Sequence, residues 1–135
     1  VISQVTAEQV DVVWPHFLPM VERGLRHGQG DAMAPCDLLG RIKSGDSVLW
    51  IAHEGEDLMA GIILEVVQLP RKKMIFVVML VGGRWDEWVD EMEFTLLDYK
   101  KLIDADCIEA SCRDGLVKKL EKRGWGRKAT VMELR

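Results

Sequence analysis

The apolar positions of this chain follow two periods, about two and about three and a half residues, and the switches between them mark the elements. Val1 to Val5 alternates and suits a short first strand. Thr6-Ala-Glu-Gln9 reads as a capping box, with Thr6 as N-cap and Gln9 three residues on. Val10, Val13, Trp14, Phe17, Leu18, Val21 and Leu25 then recur at helical spacing. Pro15 and Pro19 lie inside that run. Each lacks an N–H and crowds the preceding turn, which predicts a helix kinked or broken in two, ended by Gly28, Gly30 and Asp31. Pro35 fits the first turn of a short second helix that carries Leu38, Leu39 and Ile42 and stops at Ser44-Gly-Asp46.

Three strands follow, Ser47 to His53, Leu58 to Leu69 and Met74 to Val81, separated by the turns Glu54-Gly-Glu-Asp57 and Pro70-Arg-Lys-Lys73. Such spacing predicts an antiparallel meander. From Trp85 to Ile103 the period is helical again, with Trp85, Trp88, Val89, Met92, Leu96, Tyr99, Leu102 and Ile103 on one face, acids early and Lys100 and Lys101 late, as the helix dipole favours. Cys107 to Ser111 is a short strand, so Met74 to Ser111 forms a strand-helix-strand unit that predicts parallel pairing. A last helix, Gly115 to Arg123, ends at Gly124, and Thr130 to Leu134 closes the chain as an edge strand. The pattern predicts one domain over residues 1–135, of α/β class (an α+β sandwich), with four helices and a mixed sheet of about six strands.

Composition narrows the class. At 135 residues the chain is long enough to bury a core without disulfides or metal. With 48% hydrophobic and 30% charged residues, disorder of the whole chain is excluded. The longest apolar runs, such as Met74 to Val81, fall far short of the roughly 20 residues of a membrane span, and no leader-like segment stands at the start, so the expectation is a cytoplasmic protein with no membrane partner. Cys36, Cys107 and Cys112 contain no CxxC pair and read as buried thiols, Cys107 and Cys112 on opposite faces of a regular strand. His16, His27 and His53 are scattered without metal-ligand spacing, so no metal is expected.

Charge changes the picture more. Net charge is −4, but residues 84–110 hold nine acids against three bases and residues 111–135 hold eight bases against three acids. Two solvated faces that attract each other explain this, and a basic patch for nucleic acid or an acidic partner is the sharper alternative. The sharpest local feature is Val81-Gly-Gly-Arg-Trp85, where a strand hands over to a helix. Such a junction presents backbone N–H groups to an anion. Yet Asp86, Glu87, Asp90, Glu91 and Glu93 crowd the same helix start, giving the shape of a phosphate site with charge that repels phosphate.

The element order and its punctuation resemble the GNAT superfamily, the acyl-CoA-dependent N-acetyltransferases. The resemblance covers nearly the whole chain and rests on Ile51-Ala-His-Glu-Gly-Glu-Asp-Leu-Met-Ala-Gly-Ile62, similar to the family's hairpin, and Lys119-Leu-Glu-Lys-Arg-Gly-Trp125, similar to the Gly-aromatic ending of its last helix. A narrower resemblance, carried by Gly82, Gly83, Trp88, Arg113, Gly115, Gly124 and Trp125, is to phage- and prophage-encoded GNAT-like proteins, some of them assembly or internal virion proteins. For a phage-encoded protein the location implied is host cytoplasm or virion.

The resemblance implies acetyl-CoA as cofactor, its pantetheine arm along the backbone of Met79, Leu80 and Val81 and its pyrophosphate at Gly82, Gly83 and Arg84. Leu80-Val-Gly-Gly-Arg-Trp85 departs from the family's loop, Gln or Arg, two residues, Gly, one residue, then Gly or Ala. Acyl transfer to an amine needs a base and a proton donor for the departing thiolate. Glu65, the one acid inside the long middle strand of the meander, is the candidate base, and Leu120 stands where the family often has a tyrosine. Ser111 is a weak substitute donor, while Tyr99 suits a core position. Arg113, Lys118, Lys122, Trp125 and Arg127 form a candidate partner surface, Trp125 being the aromatic set among cations. Three functions follow as expectations: a divergent N-acetyltransferase acting on an amine-bearing substrate; a non-catalytic interaction or assembly protein of a phage with a phage or host protein partner; and, most weakly, a nucleic-acid binder.

Overall fold

The computed structural model describes residues 1–27 and 32–135. Its elements run β1 (Ile2–Val5), α1 (Val10–Arg26), α2 (Pro35–Ser44), β2 (Val48–Glu54), β3 (Asp57–Gln68), β4 (Lys73–Gly82), α3 (Trp85–Leu102), β5 (Cys107–Ala110) and α4 (Asp114–Glu121). The five strands lie in one sheet in sequence order. The pairs from β1 to β4 are antiparallel and β4 pairs with β5 in parallel, as the strand-helix-strand pattern requires.

Alternation along β3 divides the core between two faces. Ala60, Ile62 and Leu64 pack under α3 with Trp88, Val89, Met92 and Leu96, whereas Ile63 packs with Phe17 and Val21 of α1 and Leu38 and Ile42 of α2. Gly61 lies on the α1 side because the Phe17 ring occupies the place of its missing Cβ. The helices close as their sequences direct. Pro35 stands in the first turn of α2, Asp37 accepts the Ala34 N–H at 2.8 Å, and Gly45 ends the helix at φ 84°. Gly124 likewise takes φ 93° after α4.

Four expectations are corrected. Helix α1 runs unbroken through Pro15 and Pro19. Each proline costs about 3 kcal/mol or more, but Val10, Trp14, Phe17, Val21 and Leu25 form one buried stripe, and sinking each large side chain returns about 1.5–3 kcal/mol. The expected stop at Gly28, Gly30 and Asp31 lies outside the described residues. Thr6 and Gln9 do exchange the two bonds of a capping box, at 3.3 and 3.1 Å, but one turn ahead of the helix proper, with Gln9 as N-cap.

Among the described residues the sixth strand is absent: residues 130–134 take no regular secondary structure and pair with no strand, leaving Val131, Met132 and Leu134 85%, 90% and 99% exposed. Strand propensity supplies no partner edge, and the tail meets β5 through the side chain of Lys128, which donates to Glu109 at 2.6 Å. Nor are the thiols fully buried, since Cys36 is exposed and Cys107 and Cys112 are half-buried. Among the described residues no helix is long and apolar enough to cross a membrane.

Candidate functional site

Strands β4 and β5 part early. Their last partners are Val77 and Ala110. Beyond them β4 continues for five residues with β3 on one side and, among the described residues, no strand on the other. The separation begins at a β-bulge, because Met79 faces Ile63 while Val77 faces Leu64, so that Val78 is an extra residue that bends the strand. Between the parted strands lies a narrow groove, open to solvent at its mouth, with about 40 Å³ of cavity volume. Met79 and Leu80 form one wall, and Ala110, Ser111 and Cys112 the other. Trp88, Met92 and Leu96 of α3 lie beneath, and Leu116, Leu120 and Trp125 close the far side.

The groove is mostly apolar. Glu93 is the carboxylate in its lining, and it is already engaged: Arg123 Nε donates to it at 2.8 Å and Trp125 Nε1 at 3.1 Å. The Cys112 thiol also lines it, and burial pushes that thiol above its ordinary value. Cys112 lines the groove and Cys107 approaches Glu109; Cys112 lies two residues past the end of β5, so the expectation of opposite strand faces does not apply to it.

At the groove's mouth the Gly-Gly junction is tightly made. Gly82 sits at φ 135°, and a Cβ there would collide with the backbone of Ala60 and Met59. The Gly83 N–H donates to the Met59 carbonyl at 3.0 Å, and its carbonyl accepts from Trp88 Nε1 at 2.7 Å. Arg84 is the left-handed N-cap of α3, at φ 58° and ψ 42°. Its guanidinium donates to Glu87 at 2.5 and 2.9 Å and to Asp57 at 2.6 Å. These bonds raise the Arg84 pKa and lower that of Glu87.

The acids that crowd this helix start are also mostly matched. Asp90 and Glu93 share Arg123, and Glu91 accepts the Ile2 N–H at 2.9 Å. The acidic and basic halves of the chain thus attract each other across α3 and the end of α4, as their sequence balance implies.

Of the residues singled out in the sequence, the structure brings Met79, Leu80, Ser111 and Trp125 to one groove. Val81 points to α1, where its side chain fills the space beside Gly24. Glu65 is elsewhere. It pairs with Phe76, on the closed side of the β4–β5 fork, and its carboxylate accepts from Arg41 Nε and Ser47 Oγ, both at 2.7 Å. Arg113, Lys118, Lys122 and Arg127 are exposed, whereas Trp125 is half-buried against α3.

Three groups were missed in the sequence. Glu93 looked like one acid among five, Cys112 like an ordinary core thiol, and Lys119 like one lysine of a basic helix. Lys119 Nζ lies 5.2 Å from the ring centroid of Trp85, the first residue of α3.

The fold is that of the GNAT acetyltransferases. Over all of its length the chain matches a GCN5-related N-acetyltransferase of Ralstonia eutropha, with TM-score 0.72 and 12% identity over 97% of that chain. A ribosomal-protein-alanine N-acetyltransferase of Brucella melitensis matches all of this chain and 99% of its own at TM-score 0.73 and 11% identity. A predicted acetyltransferase of Clostridium acetobutylicum, solved with acetyl-CoA, matches all of this chain and 95% of its own at TM-score 0.70 and 12% identity. No protein-family model and no curated protein sequence matches the chain. At these identities the likeness is one of fold.

Proposed function

We propose that the chain is an acetyl-CoA-dependent N-acyltransferase with degenerate motifs. The observation that carries this reading is the fork of β4 and β5 beyond Val77 and Ala110, opening on an apolar groove. The residues fit an acyl-pantetheine arm: unpaired strand backbone on β4 offers hydrogen bonds to its amides, and Leu80, Met92, Leu116 and Leu120 offer it an apolar bed. Bound acetyl-CoA supplies an acyl group activated as a thioester. The chain's part is to align the arm, exclude water and hold a proton. Leu120 has no proton to give. The Cys112 thiol, kept protonated by burial, is the donor this reading assigns to the departing thiolate, with exposed Ser111 beside it. Glu65 takes a structural role, pinning α2 to β3 through Arg41 and Ser47.

Calorimetry and thermal melts with acetyl-CoA test this. Ligand at about 100 times its Kd stabilises a folded protein by roughly 2.7 kcal/mol, enough to move a melt by several degrees. An absence of both heat and shift at saturating concentrations would sink the proposal.

One observation favours a second reading. The Gly83 N–H and the Arg84 guanidinium, the groups that the junction offers to a phosphate, are both used within the chain. In that reading the fold is a scaffold without catalysis, in keeping with the resemblance to phage assembly proteins, and the exposed Arg113, Lys118, Lys122 and Arg127 face a partner. It requires a stable complex in infected cells, and a protein recovered alone from such cells counts against it.

A further inference from the structure

Building on the acyl-CoA reading of the groove, we propose that the anionic end of the cofactor is bound by Lys119 of α4, held at the groove's rim against Trp85, and not by Arg84. Helix α4 turns Leu116 and Leu120 into the groove, so the residue beside Leu120 emerges at its edge. There the Lys119 ammonium lies 5.2 Å from the Trp85 centroid, and Trp85 both lines the groove and begins α3. The ring's π face holds a cation without neutralising it. Lys119 has no carboxylate partner among the described residues, so its charge remains available to a phosphate.

Arg84 is the opposite case. It is closer to the Gly-Gly junction in sequence, but Nε and one terminal nitrogen are spent on Glu87 and the other terminal nitrogen on Asp57. A phosphate would have to displace two carboxylates to reach it. The Gly83 N–H, the other expected donor, is spent on Met59.

The acids nearby do not cancel Lys119. Glu87 is matched by Arg84, and Asp90 and Glu93 by Arg123. Glu91 is held by the Ile2 amide. Asp86 remains as the exposed acid at the helix start, a cost to any phosphate there that a cation on α4 offsets. The charge for the cofactor thus comes from a different element than the one bearing the Gly-Gly turn.

The test is calorimetric, with acetyl-CoA, acetyl-3′-dephospho-CoA and acetyl-pantetheine as probes, on the wild type and on Lys119→Ala, Lys119→Arg and Arg84→Gln, each at low and high salt. Lys119→Ala should weaken acetyl-CoA about tenfold, flatten its salt dependence and leave acetyl-pantetheine unchanged, while Lys119→Arg restores most of the affinity. Because Arg84→Gln alone unmasks Asp57 and Glu87, it is combined with Asp57→Asn and Glu87→Gln, and the triple variant should change acetyl-CoA binding by no more than about twofold. An equal effect of Lys119→Ala on acetyl-3′-dephospho-CoA assigns the contact to the pyrophosphate. Loss of the effect with that probe assigns it to the 3′-phosphate, and either result supports the proposal. Wild-type binding of acetyl-CoA that Lys119→Ala leaves untouched overturns the role of Lys119 alone. A wild type that binds neither acetyl-CoA nor acetyl-pantetheine overturns the acyl-CoA reading, and this inference with it. Lys119 is exposed, so its variants should keep the wild-type fold, checked by circular dichroism.

Discussion

Arg123 holds Glu93. The guanidinium, two residues past α4, donates through Nε at 2.8 Å to the α3 carboxylate that lines the groove and also reaches Asp90. Trp125 completes the latch by donating Nε1 to the other Glu93 oxygen at 3.1 Å. Through these bonds the end of α4 is fastened to α3, and the groove's far wall keeps its place. Trp125→Phe keeps an aromatic ring but removes the N–H and part of the indole's bulk, and stability should fall by at least about 1–2 kcal/mol in urea titrations. Arg123→Gln should in addition speed amide exchange in residues 116–121. Unchanged exchange there would show that the latch does not secure α4.

Glu65 provides a contrast between a catalytic and a structural carboxylate. Ser47 is buried at 3% exposure, and its hydroxyl donates to the carboxylate oxygen that Arg41 also binds. Ser47→Ala should destabilise the fold by about 1–3 kcal/mol, the cost of a lost hydrogen bond to a charged group. Glu65→Gln should lower stability while leaving acetyl-CoA affinity and acetyl transfer within about twofold of wild type. A collapse of turnover at full stability would return Glu65 to the chemistry.

The two glycines of the junction should respond differently. At Gly82 the backbone is left-handed and a Cβ meets Ala60 backbone, so Gly82→Ala combines conformational strain and overpacking, each about 1–3 kcal/mol. Gly83 has open space around its missing Cβ, and Gly83→Ala should stay within about 0.5 kcal/mol of wild type. Thermal melts of the two variants compare them directly.

If Cys112 protonates the departing thiolate, Cys112→Ala should cut acetyl transfer by about 10²–10⁴-fold with little change in acetyl-CoA affinity. The thiol is raised above its ordinary 9.0 by burial, so it stays protonated through neutral pH and wild-type turnover should decline only at alkaline pH. That alkaline limb should vanish in the variant. A limb that survives Cys112→Ala belongs to another group.

Acid should weaken the fold modestly through three glutamates, the exposed Glu87 and Glu91 and the half-buried Glu109. Glu87 is lowered by the Arg84 hydrogen bond, Glu91 by the Ile2 N–H and Glu109 by the Lys128 hydrogen bond. Each has a folded pKa below its unfolded value of 4.5, so each contribution is present above about pH 4.5 and disappears as pH falls through the lower folded value. Denaturant titrations should therefore show stability that is level near neutrality and declines below that point. Lys128→Ala should shrink the decline by removing the main cause of the Glu109 shift.

Much of the fold was legible in the residues, because burial imposes a period on each element. The stripe from Val10 to Leu25, the meander and the strand-helix-strand unit all appear within a residue or two of the expected bounds. The failures share one cause. Pro15 and Pro19 were expected to break α1 on local grounds, but packing against Ile63 and Leu49 outweighed them. Residues 130–134 have strand character without a neighbouring edge to pair with, and the alternation of a segment says nothing of that neighbour.

The site divides the same way. The sequence by itself determined the order of elements, the left-handed turn at Gly124, the strand-to-helix junction at Gly82-Gly83 and the opposed charge of residues 84–110 and 111–135, since each depends on local backbone sterics or on composition. Tertiary structure alone decided which charges are matched and which groups share a space. It tied Arg84 to Asp57, 27 positions away, joined Arg123 to Glu93, removed Glu65 to the α2 face, set Cys112 in the groove lining and laid Lys119 over Trp85. Those relations are distances between elements, fixed by how the sheet twists and the helices pack, and no spacing along the chain encodes them.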